Sequence, residues 1–102
     1  MAEAWDFDAD VVVVGGGAAG VAASVTAHDL GAKTVILEKA PEGEHGGNTR
    51  VAGQGYLNTS DAGDAAAYLT ALCGPFTVPA EMVAAWADEM GRNNDWLTSL
   101  GG

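Results

Sequence analysis

Gly15, Gly17 and Gly20, in the run "GGGAAG", carry the spacing G-x-G-x-x-G, and an acid, Glu38, stands 18 residues beyond the last of them. Those types at that spacing suit a dinucleotide. The first glycine permits a tight strand-to-helix turn, the second lets a pyrophosphate approach the main chain, and the third lets a helix pack against strands. Ala18 and Ala19 keep that approach unobstructed, and the helix N-terminus offers free N–H groups and a positive dipole end. A carboxylate at Glu38 accepts hydrogen bonds from ribose hydroxyls and repels a 2′-phosphate, so FAD and NAD fit and NADP fits poorly. With 15 glycines in 102 residues the motif alone is easily met by chance. What gives it weight is its place between regular elements.

Those elements are legible around it. "DADVVVVGGG" reads as a strand stopping at glycine, and four consecutive valines predict burial on both faces, as in a parallel sheet. "AAGVAASVTAHDLGA" predicts a helix from about Ala18 to Leu30 with Gly31 as its stop. "KTVILEK" predicts a second strand. Strand, helix, strand in about thirty residues makes a βαβ unit. A helix entered through Ser60 or Asp61 follows, "DAGDAAAYLTALCG". A longer one is predicted from Pro79 as a first-turn residue, its stripe of Val83, Trp86, Met90, Leu97 and Leu100 marking a packed face. The fold class is therefore α/β: a βαβ unit, a glycine-rich loop and two helices.

Between the second strand and those helices lies "EGEHGGNTRVAGQG", where a plain dinucleotide unit would start another helix. Ala40 to Ser60 shows no strong periodicity, and unstructured loops of this length in compact domains are usually functional or disordered. Flexible glycines, short hydrogen-bonding side chains and Arg50 make a plausible collar for a long, polar, anionic cofactor.

Composition removes several other functions. The net charge is −10, with Lys33, Lys39, Arg50 and Arg92 the only cations of the sequence, which argues against nucleic acid. Three of those four lie beside the glycine segments, where they offset the acidic field. The longest apolar run, Val11 to Val14, is far too short to span a membrane. "MAEAWDFDAD" lacks the basic and apolar regions of a signal peptide, so a cytoplasmic location is expected. Cys73, the sole cysteine, lies in an apolar helical stretch and is read as a packed thiol. With no paired cysteines or His/Cys cluster, no metal site is expected. His28 is read as structural or solvent-facing.

The combination "DVVVVGGGAAGVAAS … GAKTVILEKAPEGEHGGNTRVAGQG" resembles the FAD-binding domain of the fumarate reductase and succinate dehydrogenase flavoprotein superfamily, which includes 3-ketosteroid dehydrogenases and tricarballylate dehydrogenase-like enzymes. The resemblance covers residues 8 to 57 and continues more loosely through "YLTAL" and "VPAEMVAAWADEM". It implies a Rossmann-like FAD-binding domain of which residues 1–102 are the N-terminal part, without the rest of that domain or the substrate domain. By matching position it implies that Gly15, Gly17, Ala18, Ala19 and Gly20 line the FAD pyrophosphate. Glu38 would bind the adenosine ribose, with Lys39 beside it. Gly47, Asn48 and Thr49 would follow the pyrophosphate and ribityl chain, and Ala52, Gly53, Gln54 and Gly55 would lie near the isoalloxazine. Many soluble members carry Gly-Gly after a variable residue where this chain has Gly53-Gln54-Gly55. Respiratory members link flavin covalently through a histidine where this chain has Thr49, so the expectation here is non-covalent FAD. His45 lies four residues too early for such a link.

The resemblance further implies an oxidoreductase acting on a carbon–carbon bond next to a carboxylate or ketone, with a di- or tricarboxylate or a keto-steroid as small-molecule substrate. Its catalytic residues would come from segments beyond position 102 and are not assigned. Two alternatives stand beside it. An NAD-binding Rossmann unit predicts a helix directly after Glu38, and a truncated nucleotide-binding module would have no activity.

Overall fold

The computed structural model describes residues 4–102. The beginning of the acidic lead, residues 1–3, lies outside the described residues. The chain divides into two compact units, the first ending at Gly55 and the second running from Tyr56 to Gly102.

In the first unit β1 (Val11–Val14) leads into α1 (Ala18–Asp29), which returns to β2 (Thr34–Leu37). The strands pair in parallel, with Val11 opposite Thr34 and Val14 opposite Leu37. Gly31, at φ +92°, ends the helix where the sequence places the stop, donating to the His28 carbonyl at 2.8 Å. Leu30 is the C-terminal cap rather than the last helical residue. The inner face of α1 is built from small side chains: Gly20 and Ala27 are half-buried and Ser24 is buried. The Ser24 hydroxyl donates to Thr34 Oγ1 at 3.1 Å, so the polar pair between helix and strand is satisfied. Asp10 Oδ2 accepts from the Lys33 amide at 2.8 Å and ties the two strand entrances together.

The expectation that β1 is covered on both faces is corrected. Val11 and Val13 are half-buried, whereas Val12 and Val14 are 57% and 85% exposed. Side chains alternate across a strand, and α1 packs against one face of the sheet only. The valine run records strand propensity correctly, but α1 covers only every second residue of it.

The second unit holds α2 (Ala62–Cys73), α3 (Ala80–Met90) and α4 (Asn93–Ser99). The two helices of the sequence reading are thus three. The stripe begins as expected, with Val83 and Met90 buried on α3; Ala87, outside the expected stripe, is buried too and clusters with Met90 and with Ala65 of α2, Trp86 packing against them. It then breaks at Gly91 and Arg92. Arg92 N–H bonds the Glu89 carbonyl three residues back at 2.9 Å, tightening the last turn. Gly91 is a weak helix former, and Asn93, Asn94 and Asp95 suit a new helix start better than a helix interior. Leu100 consequently lies past the end of α4 and is 46% exposed. Pro79 is the N-cap rather than the first helical residue, with its carbonyl accepting from Met82 and Val83. Asp61 caps α2 as expected, its Oδ1 accepting from the Asp64 amide at 2.9 Å. Cys73 is a half-buried free thiol, and His28 is exposed beside Asp29, as read.

Candidate functional site

The turn after β1 extends the parallel ladder by one bond. Gly15 N–H donates to the Leu37 carbonyl at 2.8 Å while its φ of +102° swings the chain out of the strand, a conformation that favours glycine. Gly17 is the extended N-cap of α1, and the first helical bond runs from Val21 N–H to the Gly17 carbonyl at 2.9 Å. The amides of Ala18, Ala19 and Gly20 therefore precede the helical ladder and point out of the helix N-terminus. Gly20 stands where the helix comes down on the turn. A Cβ there would overlap the Gly15 carbonyl oxygen and lie 3.2 Å from Val13 Cγ1. Close packing of helix on strand, the role assigned to the third glycine from sequence, is its role here.

Glu38 follows β2 directly, and the backbone uses both its oxygens. Oε2 accepts from the Gly16 amide at 2.7 Å and Oε1 from the Ala40 amide at 2.9 Å. The Ala40 amide first, then that of Gly16, holds the carboxyl below its ordinary value, with smaller help from the Lys39 amide and His45. Donation to the charged form is the cause. Each oxygen keeps a further acceptor position in an exposed setting. Glu38 therefore combines two capacities: it clamps the glycine turn to the end of β2, and it presents a carboxylate with acceptor positions to spare.

The second loop meets the first. Gly46, at φ +109°, turns the chain into a 3₁₀ segment, Gly47–Val51, where the sequence reading had only irregular loop. Thr49 Oγ1 accepts from the Ala18 amide at 3.1 Å across 31 residues. A Cβ on Gly17 would sit 3.7 Å from the Gly46 carbonyl oxygen, so the loops abut at the mouth of α1. The Arg50 guanidinium donates to the Gly43 carbonyl, joining the start of the loop to the 3₁₀ turn.

Of the sequence-predicted residues, Gly15, Gly17, Ala18, Ala19, Gly20, Glu38 and Thr49 come together around this mouth. Gly47 and Asn48 open the 3₁₀ segment that carries Thr49, and Lys39 is exposed beside Glu38. Ala52, Gly53, Gln54 and Gly55 continue past it, with no hydrogen bond to the first loop among the described residues. Gly53 and Gln54 take φ of +67° and +62°, and Gln54 is the only non-glycine with positive φ among the described residues. The sequence reading missed Gly16 and Ala40, whose amides hold Glu38. For Gly16 a signal existed: the G-x-G-x-x-G spacing leaves its position free, yet it too is glycine. A Cβ there would approach Glu38 Oε2 to 3.0 Å.

The amides of Gly17, Ala19 and Gly20 are left without a hydrogen-bond acceptor among the described residues. They are free donors at the positive end of a 12-residue helix, a setting that favours an anion. The Glu38 carboxylate lies on one side and a small-residue loop on the other. This donor set fits a dinucleotide with a pyrophosphate at its centre. Among the described residues, no group of three or more His, Cys, Asp or Glu could hold a metal ion, and no helix is long and apolar enough to cross a membrane.

Comparison with known proteins agrees with this geometry. The chain is 40% identical over 92 residues to a 3-oxosteroid 1-dehydrogenase of Mycolicibacterium smegmatis, covering 78% of this chain and 15% of that protein. It is 56% identical over 46 residues to an NADH:fumarate oxidoreductase of Klebsiella pneumoniae, covering 45% of this chain and 5% of the relative. To a fumarate reductase (cytochrome) of Shewanella frigidimarina it is 50% identical over 46 residues, 45% of this chain and 8% of the relative. The chain thus spans only a small part of the curated relatives it matches. No solved structure matches. Residues 10–102 match the FAD binding domain family, which takes in the glycine turn, Glu38, the second loop and all three helices of the second unit. The chain belongs to the FAD binding domain family, and its cofactor is FAD.

Proposed function

We propose that the chain is the N-terminal part of a Rossmann-like FAD-binding domain in an oxidoreductase acting on a carbon–carbon bond beside a carboxylate or ketone. The observation that carries the reading is the mouth of α1, where the glycine turn, Glu38 and the 3₁₀ loop converge. The amides of Gly17, Ala19 and Gly20 would hold the pyrophosphate and Glu38 the adenosine ribose. Gly47, Asn48 and Thr49 would follow the chain toward the flavin, with Lys39 flanking the adenosine end. Gly53, Gln54 and Gly55 would approach the isoalloxazine, and the first two are successive residues of positive φ. FAD, when bound, supplies hydride transfer, and the protein supplies position and electrostatics. This chain's share is to bind and orient the cofactor.

The names of the relatives, a steroid dehydrogenase and fumarate reductases, support a keto-steroid or a small carboxylate as substrate class. Against the NAD alternative stands the segment after Glu38. It forms no α-helix before Ala62, only the 3₁₀ turn. Thr49 has no nucleophilic nitrogen, which supports FAD held without a covalent bond.

The test is equilibrium binding by the purified protein, read as flavin absorbance retained after desalting. FAD should be retained, NAD should not compete for it, and acid precipitation should release the flavin into the supernatant. Binding of NAD with no binding of FAD would sink the reading.

A further inference from the structure

We infer that Thr49 is a positioning residue that latches the second loop onto α1, and that this latch orders the loop for cofactor binding; the inference rests on the FAD reading above. Gly17, the N-cap of α1, has no side chain with which to satisfy the orphan amides of the first turn. The hydroxyl of Thr49, 31 residues further along, does so instead by accepting from Ala18 N–H at 3.1 Å. The cap of the helix is thereby supplied by the other loop. Three further features hold Thr49 in place. Gly46 makes the left-handed entry into the 3₁₀ turn, the Arg50 guanidinium grips the Gly43 carbonyl, and the Gly46 carbonyl lies against Gly17.

One acceptor lone pair of Thr49 is engaged with Ala18, while its O–H remains free to donate onward. The donors left for an anion are thus the amides of Gly17, Ala19 and Gly20, with the Thr49 hydroxyl beside them on Ala18. Losing the hydroxyl frees the Ala18 amide and unseats the loop in one step. Thr49 is exposed, so an isosteric change removes the hydrogen bond without opening a core.

The sequence supplies a convenient reporter. Trypsin has only four sites, at Lys33, Lys39, Arg50 and Arg92, and Arg50 directly follows Thr49. Thr49→Val should be cut after Arg50 several-fold faster than the wild type without FAD, while cutting after Arg92 is unchanged. Its dissociation constant for FAD should rise about tenfold, as for the loss of one hydrogen bond that orders the loop. Thr49→Ser, which keeps the hydroxyl, should restore both. Equal cutting of Val variant and wild type after Arg50, or failure of serine to restore protection, would overturn the latch. The cutting assay in the absence of FAD reads the latch even if the wild type binds no FAD, so the two readings fail separately.

Discussion

Glu38 stands between two backbone amides, and its charge is what both of them recognise. Its carboxyl is held below the ordinary value, chiefly by Ala40 and Gly16. A depressed folded value means that the contribution is complete above the unfolded value and is lost as pH falls through the folded one. Glu38→Gln keeps one acceptor and removes the charge. It should melt below the wild type at neutral pH, and the gap should close on acidification beneath the ordinary glutamate range. Thermal melts across that range check it, and a gap independent of pH would assign the loss to geometry instead of charge. FAD affinity of the same variant at neutral pH should fall about tenfold, since a charge-assisted bond to a ribose hydroxyl becomes a neutral one. The residues that bind the site together were only partly legible. The acid at the end of the second strand could be read from spacing, but its partners are main-chain amides, which no residue type announces.

Among the elements, the clearest agreement between sequence and structure lies where a single residue decides an end. Gly31 stops α1 and Asp61 starts α2, each through a local rule. Asp61→Ala removes the acceptor for the Asp64 amide and should cost about 1 kcal/mol, read as a lower denaturant midpoint with an unchanged slope. A smaller loss would show that Thr59, whose Oγ1 accepts from the Asp61 amide, holds the helix entry without the carboxylate. The failures occur where tertiary context overrides a pattern. The stripe from Val83 to Leu100 has nearly helical spacing, yet Gly91 separates α3 from α4. The valine run looks doubly buried, yet one face has no helix on it. The 3₁₀ turn at Gly47–Val51 was invisible because it is held by contacts to α1 and Gly43 instead of by its own propensities.

For the molecule as a whole, charge and cofactor oppose each other. The chain carries −10, and the pyrophosphate of FAD is anionic. Long-range repulsion is screened over about 10 Å at 0.1 M salt, whereas the free amides act at contact. Association of FAD should therefore quicken several-fold as salt is raised from about 0.01 M to about 0.2 M, with dissociation little changed. Stopped-flow flavin fluorescence would measure it. A slower association in salt would mean that Lys33, Lys39 and Arg50 dominate the approach. Composition made the overall charge plain from the start. What it could not give was the direction of each amide, because that follows from backbone torsions at Gly15 and Gly46.

The double engagement of Glu38 also bears on attempts to redesign the site. Replacing it with a neutral or basic residue, to admit a ribose carrying a phosphate, would leave Gly16 and Ala40 without their acceptor. Ligand preference and the shape of the turn are written into one side chain. A successful retrofit would have to import a second acceptor for those amides before it altered what the pocket selects.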